Sequence, residues 1–201
     1  MSVTLRGARQ SDATAIHGLV TANLEAGHLL PRAIDDIHEH IARFIVAELD
    51  GQVVGCAELA RLSPSVAEVR SLVVQELLRG QKIGTRLVAH LAANATVAGY
   101  ETLSAFTHDP AHFVRLGFTI VPHIWMPEKI AHDCTGCALF RRCGQYAVRL
   151  TLRAGVHAAP ERTAAMIYGR GVAPRRPNIE RLHLTPVAAE KDDERREAVP
   201  A

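Results

Sequence analysis

Ala67-Glu68-Val69-Arg70-Ser71-Leu72-Val73-Val74 is followed closely by Arg79-Gly80-Gln81-Lys82-Ile83-Gly84-Thr85, and this passage decides the fold. An apolar, β-rich run ends, a short loop carries two glycines, and an amphipathic stretch begins. The pattern predicts a strand, a turn and a helix start. A helix start exposes backbone N–H groups that have no intrahelical partner, and the helix dipole adds partial positive charge there. The passage therefore suits a phosphate-bearing ligand.

Outward from it, the chain reads as alternating short elements. Val3 to Ala8 alternates like a strand. Ser11 is the expected N-cap of a helix whose apolar positions, Ile16, Leu19, Val20 and Leu24, keep a helical period to Gly27. Ile34 to Ile41 reads as a second short helix. Phe44 to Glu48 and Val53 to Arg61 are strands around the Asp50-Gly51 turn signal. Val66 to Val74 is a central strand, and Gly84 to Val97 a helix closed by Gly99. Thr102 to Thr107, Phe118 to Val121 and Tyr146 to Leu152 complete the strands, with a helical turn over Ala111 to Leu116. Antiparallel strands followed by β-α-β define an α+β (mixed α/β) domain over residues 1–152 with helices on both faces. From Arg153 periodicity weakens, and residues 153–201 read as a partly disordered tail.

Composition narrows the function. The 201 residues are 48% hydrophobic and 22% charged, with net charge +2. That balance fits a globular domain and gives no basic block for nucleic acid. No apolar run approaches ~20 residues, so no membrane span is expected. The N-terminus lacks the apolar core of a secretion signal, so the expected compartment is the cytoplasm. There the four cysteines read as thiols or ligands rather than disulfides. A homodimer is left open.

Arg79-Gly80-Gln81-Lys82-Ile83-Gly84 on a helix start, preceded by Leu72-Val73-Val74, resembles the acetyl-CoA-binding motif of GNAT acetyltransferases, and Phe113-Val114-Arg115-Leu116-Gly117-Phe118 is similar to a second signature of that family. The resemblance implies a GNAT fold, with a mostly antiparallel sheet whose central strands splay. Leu72, Val73 and Val74 would then offer backbone groups to pantetheine and to the thioester carbonyl, an oxyanion-hole device. Arg79, Gly80, Gln81, Lys82, Ile83, Gly84 and Thr85 would cradle the pyrophosphate. Family members usually carry glycine where this chain has Lys82. Retained binding is expected, with Lys82 in a conformation suited to a non-glycine residue and its ammonium adding attraction.

Distant segments narrow the likeness. Leu29-Leu30-Pro31-Arg32, Ala67 to Leu72, Phe106-Thr107, Met126-Pro127-Glu128-Lys129 and the Asp133-Cys134-x-x-Cys137-x5-Cys143 segment resemble the short-form bacterial N-acetylglutamate synthases. This implies acetyl transfer from acetyl-CoA to the α-amine of L-glutamate. The chemistry needs cations for two carboxylates and an acceptor for the amine proton. Arg32, Arg70 and Lys129 are the candidate carboxylate clamps. Glu68 precedes Arg70 by two residues, so strand alternation puts both on one face. It also holds the general-base position of several GNAT enzymes. A tyrosine usually stands beside the donor four residues before the Gly-Phe pair. Phe113 occupies that place among the donor-binding residues and cannot give a proton. Thr107, His108 and His112 are the candidate substitutes, with Thr107 taken as the catalytic one.

Cys134, Cys137 and Cys143, with His132 or Asp133 as a fourth ligand, form a candidate structural zinc site. Reduced thiols capping a loop and a redox dithiol are the other readings. Cys56 reads as a small core residue. Two alternatives to glutamate acetylation stay open, a GNAT enzyme for another amino acid or small amine, and a non-catalytic acetyl-CoA or metal-responsive sensor.

Overall fold

Seven strands form one sheet in the computed structural model, which describes residues 2–24 and 29–152. They are β1 (Thr4–Gly7), β2 (Phe44–Leu49), β3 (Gln52–Arg61), β4 (Val66–Val74), β5 (Thr102–Thr107), β6 (Thr119–Val121) and β7 (Tyr146–Thr151). The helices are α1 (Ala13–Ala22), α2 (Ile34–Glu39), α3 (Ile83–Val97), α4 (Pro110–Val114) and α5 (Pro127–Lys129). The spatial order is β1-β2-β3-β4-β5-β7-β6. Every neighbouring pair is antiparallel except β4 and β5, which run parallel and are joined by α3. A parallel pair needs such a crossover, whereas Asp50 and Gly51, at φ 49° and 79°, close the β2–β3 hairpin directly.

The sheet is packed on both faces. On one, Leu87, Val88 and Leu91 of α3 bury against Ala57, Ala67, Val69, Leu103 and Ala105. On the other, Ile16 and Val20 of α1 and Ile37 of α2 cover Phe44, Val46, Cys56 and Val73. Among the described residues, no helix is long and apolar enough to cross a membrane.

Two irregularities at the centre make a cleft. The β4–β5 ladder runs only from Val66↔Thr102 to Val69↔Ala105. Beyond it the strands part, so residues 70–74 face β5 without ladder partners, as the splayed-strand expectation requires. The register between β3 and β4 also slips, from Glu58↔Arg70 to Cys56↔Val73. Ser71, at φ 48°, is the extra residue of this bulge. It switches the alternation. Leu72 and Val74 join Ala67 and Val69 on the α3 core, while Val73 joins the opposite core.

The predicted elements form nearly as read, with local corrections. Ser11 is not the cap that starts α1. A single 3₁₀ turn at Gln10–Asp12 precedes the helix, and the Asp12 carboxylate accepts the Arg9 N–H at 2.7 Å. Arg6 also holds the Asp12 carboxylate, at 2.7 Å. The helix ends at Ala22 rather than continuing to Gly27. There the Asn23 side-chain amide donates to the Leu19 carbonyl at 2.7 Å. Gly27 and the tail read from Arg153 lie outside the described residues.

Candidate active site

The donor side of the cleft forms where β4 ends and α3 begins. Gly80 lies at φ 80°, and Lys82, the N-cap of α3, lies at φ 61°, ψ 14°. Lys82 thus adopts the left-handed conformation that glycine tolerates best, contrary to the expectation of a conformation suited to a side chain. The first helical bond runs from the Arg86 N–H to the Lys82 carbonyl, 3.0 Å. The N–H groups of the preceding helical residues, Ile83, Gly84 and Thr85, therefore have no intrahelical acceptor. Val74, Arg79, Gly80, Lys82, Gly84 and Thr85 line one cleft, whereas Gln81 is exposed outside it. Arg79 donates to the Val74 carbonyl at 3.3 Å and to the Asn23 side chain, tying the end of β4 to the end of α1. Free N–H groups, a helix N-terminus and two cations suit the diphosphate and pantetheine arm of acetyl-CoA.

Phe113 is a buried wall of this cleft, 5% exposed, edge-on to Phe118 at 5.2 Å. The Thr107 hydroxyl accepts the Asp109 N–H at 3.0 Å, which leaves its own proton free to donate. His112 carries a buried Nε2 that has no hydrogen-bond partner among the described residues, and its ring lies beside Gly84. Burial pushes the His112 pKa down, favouring the neutral imidazole.

The acceptor side lies on the opposite face of β4. Glu68 is 2% exposed. Its carboxylate accepts from Arg70 Nε at 2.5 Å and from Lys129 Nζ at 2.7 Å. Asp133 binds the same cations, with Lys129 Nζ at 2.8 Å and Arg70 through Nη2. Asp133 also holds His132 Nδ1 at 2.8 Å. Burial alone would lower the Arg70 pKa, but Glu68 and Asp133 more than offset it, so the guanidinium is held charged. Burial alone would raise the Asp133 pKa. The hydrogen bonds from Lys129 and His132, with the nearby Arg70 charge, bring it below the usual carboxylate range. Lys129 Nζ stands 5.1 Å from the Phe106 ring centroid.

Arg32 lines the same cleft but is engaged, with Asp36 at 2.5 Å and Glu58 at 2.8 Å. Glu58 is 1% exposed and pairs with Arg70 in the strand register. Arg32, Arg70 and Lys129 all line this cleft, but each already holds protein carboxylates.

Cys134, Cys137 and Cys143 are free thiols on the wall of the cleft. The Cys137 N–H donates to the Cys134 carbonyl at 3.0 Å, and the Leu139 N–H to Cys137 Sγ at 3.4 Å. Burial pushes the Cys134 thiol pKa up. Among the described residues, no three His, Cys, Asp or Glu side chains converge to hold a metal ion. The zinc reading therefore finds no assembled site, and the loop-capping reading fits these hydrogen bonds.

Residues 14–118 match the acetyltransferase (GNAT) family. The chain belongs to this family. It is 35% identical to an uncharacterized N-acetyltransferase of Chlorobaculum tepidum, over 74% of this chain and 96% of that one. It is 30% identical to the amino-acid acetyltransferase of Neisseria meningitidis serogroup A, over 65% of this chain but only 30% of that protein. Among solved structures it resembles the N-acetylglutamate synthase of Neisseria gonorrhoeae complexed with coenzyme A and N-acetyl-glutamate. The TM-score is 0.68 at 26% identity, covering 76% of this chain and 36% of that one. The chain thus spans about a third of the length of these Neisseria proteins.

This GNAT acetyltransferase is an acyltransferase that moves acetyl groups to nitrogen. Sequence reading missed Glu58 and Asp36 as members of its charged cluster, and took Asp133 only as a metal ligand. One signal was available for Glu58, a lone carboxylate inside the apolar run Val53-Val54-Gly55-Cys56-Ala57-Glu58-Leu59-Ala60. Such a residue calls for a buried cation.

Proposed function

We propose that this GNAT enzyme transfers the acetyl group of acetyl-CoA to the α-amine of an amino acid, with L-glutamate as acceptor and N-acetyl-L-glutamate as product, the first step of arginine biosynthesis. The observation that carries the reading is the buried Glu68–Arg70–Lys129 cluster on the strand whose far end opens to the α3 N-terminus. Donor and acceptor sites are two stretches of one strand.

The chemistry follows from the groups present. Arg70 and Lys129 offer charge-assisted hydrogen bonds to an acceptor carboxylate. The neutral amine attacks the thioester carbonyl, and the unpaired β4 N–H groups take the developing oxyanion. The proton lost by the amine passes to Glu68 directly or through water. The C–S bond breaks and the electron pair leaves on sulfur. A thiolate of pKa near ~8.5 departs readily, and Thr107 or His112 lies on the donor side to protonate it. No covalent enzyme intermediate is needed.

Thiol release measured with acetyl-CoA and glutamate, glutamine, aspartate or lysine tests the assignment. The highest kcat/KM is expected with glutamate. Equal turnover of all four, or preference for lysine, rejects glutamate as the acceptor. Tight acetyl-CoA binding without turnover of any of them rejects amino-acid acetylation.

A further inference from the structure

The two acceptor-side cations are already engaged by resident carboxylates. Arg70 and Lys129 each bind both Glu68 and Asp133, so two cations face two carboxylates. Arg32 is likewise shared between Asp36 and Glu58. An acceptor carboxylate can reach Arg70 and Lys129 only by displacing one of their resident anions or by adding negative charge to a neutral cluster. The residents are not equivalent. The Glu68 side chain is 3% exposed in the middle of β4, whereas that of Asp133 is 30% exposed and lies beyond α5, in the Ile130–Cys134 turn. Asp133 is therefore the carboxylate that gives way at the lower cost. It does not leave by protonation, since its cationic neighbours hold it ionised.

We infer that Asp133 occupies the seat of an acceptor carboxylate and is a specificity-determining residue. It competes with the carboxylates of the incoming amino acid, and it discriminates most against an acceptor whose side chain is also anionic. The inference rests on the amino-acid acceptor reading and deepens it. An α-carboxylate common to all acceptors gains nothing in discrimination from Asp133, but a second carboxylate does. Glutamate and its neutral isostere glutamine differ in this one group and so report on the competition.

The test is calorimetric binding of glutamate and glutamine to the CoA-loaded enzyme, in the wild type and in Asp133→Asn and Asp133→Glu. Asp133→Asn keeps the side chain's shape and removes its charge. It is expected to improve the glutamate-to-glutamine affinity ratio by up to about fivefold, the upper end of what one partly exposed ion pair contributes. Asp133→Glu keeps the charge and is expected to leave the ratio near the wild-type value. CoA affinity should be the same in all three, which also shows that the variants fold. An unchanged ratio in Asp133→Asn, weaker glutamate binding in that variant, or no measurable binding of either amino acid overturns the inference. Because the readout is binding, it remains decisive if no amino acid is turned over, an outcome that would reject the proposed reaction instead.

Discussion

Lys82 is a single residue where conformation and chemistry pull in different directions. Its φ of 61° and ψ of 14° put a β-carbon in the left-handed region, which costs an ordinary residue about 1–2 kcal/mol. Glycine would remove that strain but lose about 0.4–1 kcal/mol through the greater freedom of the unfolded chain. The first effect is the larger, so Lys82→Gly is expected to raise unfolding stability by about 0.5 kcal/mol, read as a higher urea midpoint at unchanged slope. It should also weaken CoA binding severalfold at low ionic strength, a difference that fades above ~0.5 M salt as the ammonium's attraction is screened. Lower stability would mean that the lysine side chain contributes packing that outweighs the strain. The sequence marks position 82 as a departure from the family pattern, but a side-chain identity does not reveal the backbone angle beneath it. The same limit hid Glu58, since a lone carboxylate signals a missing cation without saying which arginine supplies it.

At the level of elements, the bulged strand β4 sets the cleft, and Gly55 on β3 makes the bulge sterically feasible. A β-carbon at position 55 would stand 3.0 Å from the Val73 carbonyl oxygen and 3.5 Å from both Ala47 Cβ and Leu87 Cδ1. Backbone, sheet neighbour and helix α3 close in together, so the strain has little room to relax. Gly55→Ala is expected to destabilise the fold by about 1–3 kcal/mol, the usual cost of overpacking. The Val73–Val74 backbone borders the donor cleft, so the apparent KM for acetyl-CoA should rise more than that for the amino acid. Equal changes in both constants would show that the cost stays in the core. Most elements were legible because each had a local cause. Asp50-Gly51 closes the hairpin, and Leu87, Val88 and Leu91 keep the period of α3. The bulge was not legible, because Ser71 at φ 48° is imposed by the β3 register rather than by its own preference. Nor were α5 and the Ile130–Cys134 turn, which are too short to show a period and are fixed by Lys129 and Asp133 reaching back to β4.

Across the whole molecule, a few ionisable groups in special surroundings shape how stability responds to pH. His112 has a folded pKa below its ordinary value because burial disfavours its cation. Its contribution is complete above the unfolded value of about 6.5 and is lost as pH falls from there through the lower folded value. Asp12 is depressed first by its hydrogen bond from Arg6, and Asp133 by Lys129, His132 and Arg70 against the opposing effect of burial. Both contribute fully above the ordinary carboxylate value of about 3.9 and lose that contribution as pH falls through their folded values. Cys56 acts on the other side. Burial raises its thiol to about 12, so its contribution is complete below the ordinary thiol value and is lost as pH rises beyond it. Stability should therefore be greatest near neutrality. On the acid side it should decline in two steps, a shallow one below about 6.5 and a steeper one below about 4. Urea midpoints measured from pH 3 to pH 8 should show both. His112→Phe should remove the shallow step, since a phenyl ring carries no proton to gain, and Asp12→Asn should flatten the steep one at the cost of lower stability at pH 7. An acid limb that keeps its shape in both variants would assign the pH response to the protein's net charge rather than to these groups, because self-repulsion among many surface cations depends on no single partner.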